Sequence, residues 1–295
     1  MSFLVLPHLK VQSANALACG FIVNASPVMA ITQFVHNLMV RHLECDVLGV
    51  AVRHHHAEHQ ALEDVAYDVL PHQRRSALLV NEQDYVGKGT KGPTLSAQPT
   101  ASCNLELSLL IEYEGLLDES MLLPFLRKAR LAGGQLLDYR TPINVDDVNT
   151  AIRSLGDNGF WLIERPDLID ETDPLGSTFA AIERNALPAQ RAESLQSKTP
   201  ELHNRPLHEV SHAWVVPTVL GYLAITDFAE REGVRLQMQP NDSTLQHTLH
   251  AYAEPLLGMV QYVPARQLNK QVPYWRQHWL DSHTFVVQCH PESIG

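Results

Sequence analysis

Asn104-Leu-Glu-Leu-Ser-Leu-Leu-Ile-Glu112, Asp118-Glu-Ser-Met-Leu-Leu-Pro-Phe-Leu-Arg-Lys-Ala-Arg130 and Leu131-Ala-Gly-Gly-Gln-Leu-Leu-Asp-Tyr-Arg140 form one nearly continuous stretch whose reading decides the fold. Leu105, Leu107, Leu109 and Ile111 alternate with polar residues, with Leu110 the one apolar intruder, which predicts a strand with one face on the core and the other outward. Asp118 is placed to cap a helix in which Met121, Leu122, Phe125, Leu126 and Ala129 recur at helical spacing. Arg127, Lys128 and Arg130 fall in its last turns, where the helix dipole favours cations. Two consecutive glycines, Gly133 and Gly134, then offer positive φ and close backbone approach before a strand from Gln135 to Arg140. Arg127, Lys128, Arg130 and Arg140 rim this loop against Asp138 alone, on a chain of net charge -11.

Working outward, Phe3 to Val11 reads as a buried strand and Gln12-Ser-Ala-Asn-Ala16 as a polar turn. Met29, Ile31, Phe34, Val35, Leu38 and Met39 make a helical stripe, so a helix is expected over Val28 to His42, with Ser26 as cap and Pro27 at its first position. Asp46 to His54 returns as a strand. Two β-α-β halves give an α+β fold with an RRM or ferredoxin-like (βαββαβ) head from residues 1–56 and 104–141. Residues 57–103 intrude between the halves. Their centre, Gly87-Lys-Gly-Thr-Lys-Gly-Pro93, between Ala77–Val80 and Thr94–Ala97, suggests an inserted thumb β-hairpin, with a plain surface loop as the alternative. Residues 142–295 make a C-terminal α/β extension packed on the head. In it, Phe160 to Ile163 is a short strand, Asp173 to Ser197 a helix interrupted by Pro188, and Ala213 to Tyr222 a strand with an edge proline. The tail, with Tyr274, Trp275, Trp279 and Phe285, is expected to form a helix and a strand.

At 295 residues, 45% apolar and 19% charged, the composition is that of a globular protein. The apolar runs are too short to cross a bilayer and the N-terminus lacks a charged n-region, so a cytoplasmic protein with no membrane partner is expected. The four cysteines are scattered without C-x-x-C spacing, which points to neither a zinc knuckle nor a disulfide framework. The acidic balance argues against a nucleic-acid-coated protein while leaving room for a local site.

Catalysis finds little purchase. His54-His-His-Ala-Glu-His59 offers imidazoles, and His55 with His59 would share a helical face, yet no H-E-x-x-H and no third ligand accompany them. Cys289-His-Pro-Glu292 resembles an element of class I glutamine amidotransferases, but none of the cysteines has the G-x-C-x-G flanks of their nucleophile. Carboxylate pairs such as Asp146 with Asp147 lack acid/base spacing. No metal, cofactor or catalytic residue is expected.

Phe3 to Val11, Asn15-Ala16, Phe34-Val-His36, Leu105-Glu-Leu-Ser-Leu-Leu110, Arg130-Leu-Ala-Gly-Gly134, and Trp214-Val-Val-Pro217 with Gly221-Tyr222 fall in the order seen in one family. In them the chain resembles the second Csy subunit of type I-F CRISPR surveillance complexes, the Cas-five-type member of the RAMP superfamily. The resemblance implies an RRM-like head and thumb that hold the 5′ handle of the CRISPR RNA and cap the backbone filament, without catalysis. It implies a backbone subunit as partner, a large subunit where the system has one, and contact with target DNA duplex in compact variants.

Single-stranded RNA is read by stacking, backbone amides and splayed base edges, so a shaped polar groove suffices. On that basis Gln12 and Asn15 are candidates for base edges, Arg53, Arg130 and Arg140 for phosphates, Gly133 and Gly134 for close backbone approach, and Tyr139 for stacking. His54 and His56 would line the RNA face, and Lys88 and Lys91 at the thumb tip would reach RNA or target strand. Two other readings stand beside this one: a RAMP-type endoribonuclease using a histidine from His54 to His59, and a protein-only ferredoxin-like interaction module.

Overall fold

The computed structural model describes residues 1–19, 22–62, 70–71, 73–75, 97–99, 101–186, 214–229, 249–267 and 271–293. Three long strands carry it: β1 (Ser2–Asn15), then, after the short pair β2 (Leu17–Cys19) and β3 (Ile22–Val23), β4 (Asp46–Leu62), and β8 (Ser102–Glu114). β5 (Leu70–Pro71), β6 (Gln73–Arg75) and β7 (Ala97–Pro99) lie between the last two. β8 runs antiparallel between β1 and β4. A strand paired on both edges in mid-sheet has two faces to cover, and this one buries both.

Leu105, Leu107, Leu109 and Ile111 join the main core with Leu4, Leu6 and Leu9 of β1. Leu110, the intruder of the sequence pattern, belongs with Phe3, Val5 and Ala51 to a second core on the opposite face. The expectation of an outward face is therefore corrected along this part of the strand. The main core is roofed by Ile31 and Val35 of α1 (Val28–His36) and Leu122 and Leu126 of α2 (Glu119–Leu126). Ala151 and Leu155 of α3 (Val148–Leu155), with Trp161 and Ile163 of β12 (Phe160–Glu164), close the second core. At about 1.5–3 kcal/mol per large apolar side chain, these two layers dominate the stability of the sheet.

Several boundaries move for physical reasons. β1 runs through Gln12 to Asn15, where a turn was expected, with bulges that put His8 and Ser13 at φ 54°. The first helix ends at His36 and continues as a π-helical turn, Asn37–His42, in which Leu43 N–H bonds the Leu38 carbonyl at 3.0 Å. Its N-cap is Pro27, and Ser26, fully buried, turns its hydroxyl to Asn24 instead. Asp118 does cap α2, accepting from Ser120 N–H at 2.9 Å. That helix stops at Leu126, so Arg130 leaves it for β9 (Arg130–Leu131), which pairs with β10 (Gly134–Asp138) because strand pairing buries Leu131 in the core. β11 (Ile143–Val145) pairs with the start of β1.

Farther on come α4 (Pro174–Ala186), β13 (Val215–Ala224), β14 (Ala253–Pro264), β15 (Gln271–Trp279) and β16 (Thr284–Ser293). The tail is thus two strands rather than a helix and a strand. The ladders β4–β15–β16–β13–β14–β12 return to β4, so six strands close a ring on the edge of β4 away from β8. Trp275 fills this ring and donates its indole N–H to the Leu162 carbonyl at 3.0 Å. The outcome is an α+β molecule, mostly antiparallel sheet with few helices. β6 and β7 pair antiparallel within the 57–103 insertion; the Gly87 to Pro93 centre, with Lys88 and Lys91, lies outside the described residues.

Candidate nucleic-acid interface

The glycine loop is a two-residue hairpin. Leu131 pairs with Gly134, leaving Ala132 (φ 48°) and Gly133 (φ 75°) as the tip, both in the left-handed region that such tight turns require. Gly133 has open space around it. Gly134 is different: a Cβ there would meet the Gln12 carbonyl oxygen at 2.6 Å and Ala14 N at 2.7 Å. The first glycine serves the turn and the second the approach of the hairpin to β1. The tip is held in place by Asn15 N–H, which bonds the Ala132 carbonyl at 2.7 Å.

On one side of this tip lies a groove of about 730 Å³. Asn15, Ala132 and Gly133 form one wall, and Met29, Ala30 and Gln33 of α1 form the floor. The opposite wall comes from Tyr222 of β13, Phe228, and Trp279 and Phe285 where β15 and β16 turn. Trp279 packs edge-on against Phe228 and Phe285, at 6.0 Å and 5.3 Å between ring centroids, and remains 53% exposed. His283 is the one imidazole among the described lining residues, and it reaches Asp227 at 3.4 Å. No lysine or arginine is among the described lining residues.

The walls belong to elements far apart in the chain, and polar side chains tie them. Asn24 donates to the Pro217 carbonyl at 2.6 Å, and Thr218 donates to the Ser26 carbonyl at 3.1 Å. Asp281 accepts from His283 and Thr284 N–H, fixing the turn that presents Trp279. Asn15 closes an Asx turn on Leu17, accepting from its N–H at 3.1 Å.

Across the hairpin is a second concavity of about 450 Å³, lined by Asn37, His42, Pro124, Phe125, Lys128, Ala129 and Arg130. His42 is held by Phe125, ring centroids 5.1 Å apart, and by the Met121 carbonyl at 3.2 Å.

The sequence candidates separate accordingly. Asn15 and Gly133 line the aromatic groove, Arg130 the basic concavity, and Gly134 stands behind the tip. Gln12, half-buried Tyr139 and Arg140 sit on or just past β1 and β10, away from both concavities. Arg53 is withdrawn as a phosphate ligand: it is 2% exposed, donates to the Gly156 carbonyl and stacks on Trp161, and burial lowers its pKa to about 10. His54 is likewise no RNA contact, being 6% exposed, edge-on to Tyr262 at 5.1 Å, with its pKa pushed down to about 4 by burial. His56 is exposed on β4 outside both concavities.

The His54–His59 run is strand, so His55 and His59 share no helical face. What the fold brings to His55 instead is His8, whose ring stacks on it at 4.4 Å and meets Glu106 at 2.6 Å, while His55 Nε2 bonds the buried Ser108 hydroxyl at 2.7 Å. Burial, then the neighbouring His8, brings His55 down to about 4. Sequence reasoning missed this cluster and the aromatic wall; the separated aromatics of the tail were the only signal for the latter.

Fold and site together define a mostly antiparallel α+β protein with an aromatic groove, free of lysine and arginine among its described lining residues, beside a basic concavity. The chain matches the family described as CRISPR-associated protein (Cas_Csy2) over residues 4–285, and it belongs to that family. It is a second Csy subunit of a type I-F CRISPR system, placed in a Csy complex with other Cas subunits. No curated protein matches it. Among the described residues, no helix is long and apolar enough to cross a membrane.

Proposed function

We propose that this subunit holds the single-stranded 5′ handle of the CRISPR RNA in the groove between the Ala132–Gly133 tip and the aromatic wall, and does no chemistry on it. The observation that carries the reading is the groove itself. Exposed aromatic rings stack any base, a largely apolar set of described lining residues without lysine or arginine selects base faces over phosphates, and the hairpin tip lets a backbone pass closely. The strand order β4–β8–β1–β10, with α1 and α2 roofing one face, supports the RRM-like reading of the head. The opposite face, on which such domains stack bases, is occupied by the second core along Phe3, Val5 and Leu110, which favours the groove over the sheet face. We take the backbone subunit, a large subunit where present and target DNA duplex as the further partners.

The absence of chemistry rests on the histidines. His54 is buried, and a base held near 4 is poorly matched to proton abstraction at neutral pH. The test is RNA binding by anisotropy with a handle-sequence oligonucleotide. Trp279→Ala should weaken binding by about 1–3 kcal/mol, the worth of one stacked base, and Trp279→Phe by less. Unchanged affinity in a Tyr222→Ala, Trp279→Ala double variant of unaltered fold would move the RNA out of this groove.

A further inference from the structure

The aromatic groove has no lysine or arginine among its described lining residues, so an RNA strand within it must find counter-charges elsewhere. Across the hairpin tip, the second concavity supplies cations. One continuous helical run lies under both concavities: Gln33 lines the groove, and Asn37, one turn or about 6 Å farther along, lines the basic concavity. The β9–β10 hairpin does the same from above, with Ala132 and Gly133 at the groove and Arg130 at the concavity. Among the described residues the hairpin tip stands between them, and at Gly133 there is no side chain to block a passing strand.

The concavity is suited to an anion. Lys128 and Arg130 are exposed, and neither they nor neighbouring Arg127 and Arg41 form an ion pair among the described residues, on a chain of net charge -11. The π-helical turn presents His42 beside them, braced by Phe125. Resting on the groove being the RNA site, we propose that the strand leaving it crosses the Ala132–Gly133 tip and seats a backbone phosphate among His42, Lys128 and Arg130. Arg130 offers a forked guanidinium, and Lys128 a point charge, to the phosphate oxygens.

The experiment uses the full chain with a nested set of single-stranded RNAs, shortened one nucleotide at a time from either end. Lys128→Gln with Arg130→Gln should weaken the longest RNA about tenfold and lower the slope of log K against log salt by about 0.7, one phosphate's worth. The loss should vanish once one particular end is trimmed, while Trp279→Ala weakens every length. Arg130→Lys should restore most of the slope. A loss equal at all lengths, or an unchanged slope, overturns the path. If Trp279→Ala binds normally while the double variant does not, the groove reading fails instead. If the wild-type chain binds none of the RNAs, both fail.

Discussion

The guanidinium carbon of Arg53 lies 4.1 Å from the centroid of the Trp161 ring, sealed between β4 and β12 where Arg53 and Trp161 are paired across the sheet. A cation 2% exposed is here a structural part of the second core, held by an aromatic face and the Gly156 carbonyl, with its Nε left without a hydrogen-bond partner among the described residues. Arg53→Ala should therefore destabilise the protein by about 3 kcal/mol, from lost packing, cation–π contact and a charged hydrogen bond. RNA affinity of the fraction that remains folded should stay within about twofold of wild type. Denaturant melts and binding isotherms on the same sample check both; intact stability with lost RNA binding would return Arg53 to the interface.

The adjacent glycines should respond oppositely to their order of exposure. Gly133→Ala adds a methyl to open space at φ 75°, for about 1–2 kcal/mol. Gly134→Ala drives its Cβ into the backbone of Gln12 and Ala14, so the hairpin must separate from β1, and the loss should be larger. Gly133→Val should leave an assembled fold while obstructing the tip, which RNA retention by the purified variant measures. A Gly134→Ala protein as stable as wild type would contradict the register of β1 and β10.

Acid stability follows from His54. In the unfolded chain it titrates near 6.5 and in the fold near 4. Above pH 6.5 both states are neutral there, and nothing changes. Between 6.5 and 4 the unfolded state binds a proton that the fold refuses, so stability falls as pH falls and levels off beneath that window. The displacement corresponds to about 3 kcal/mol for this one group. His54→Gln should remove its share of the pH dependence of denaturation midpoints across that window, leaving the share of His55, which is also held near 4, and a slope unchanged by the substitution would assign it elsewhere.

No cleavage should be seen when labelled repeat RNA is incubated with the purified chain, with or without chelator. Among the described residues the fold sets His283 beside Asp227 in the groove, and groups two stacked histidines, His8 and His55, with Glu106. A true general base there would lose about 10²-fold or more of its rate in His8→Ala or His55→Ala. Site-specific cleavage abolished by either substitution would establish the nuclease reading.

Local pattern was enough for the long strands, for the Asp118 cap and for the positive φ at Gly133, because alternation, capping and positive φ are properties of neighbouring residues. The same pattern misread β8: a period-two row says which residues share a face, while only the sheet's surroundings say whether the other face meets water. It likewise placed Arg53 and His54 in an interface, since a charged residue at a strand end is ordinarily solvated, and nothing nearby in the chain announces Trp161 or Tyr262. The ring closed by β12 and β15 on β4 depends on contacts more than a hundred residues apart. So does the groove, which joins Asn15 and Gly133 to Tyr222 and Trp279. Sequence determined the family and the long strands; tertiary packing decided which polar residues were left facing the groove, because burial is set by what the rest of the chain lays over each face.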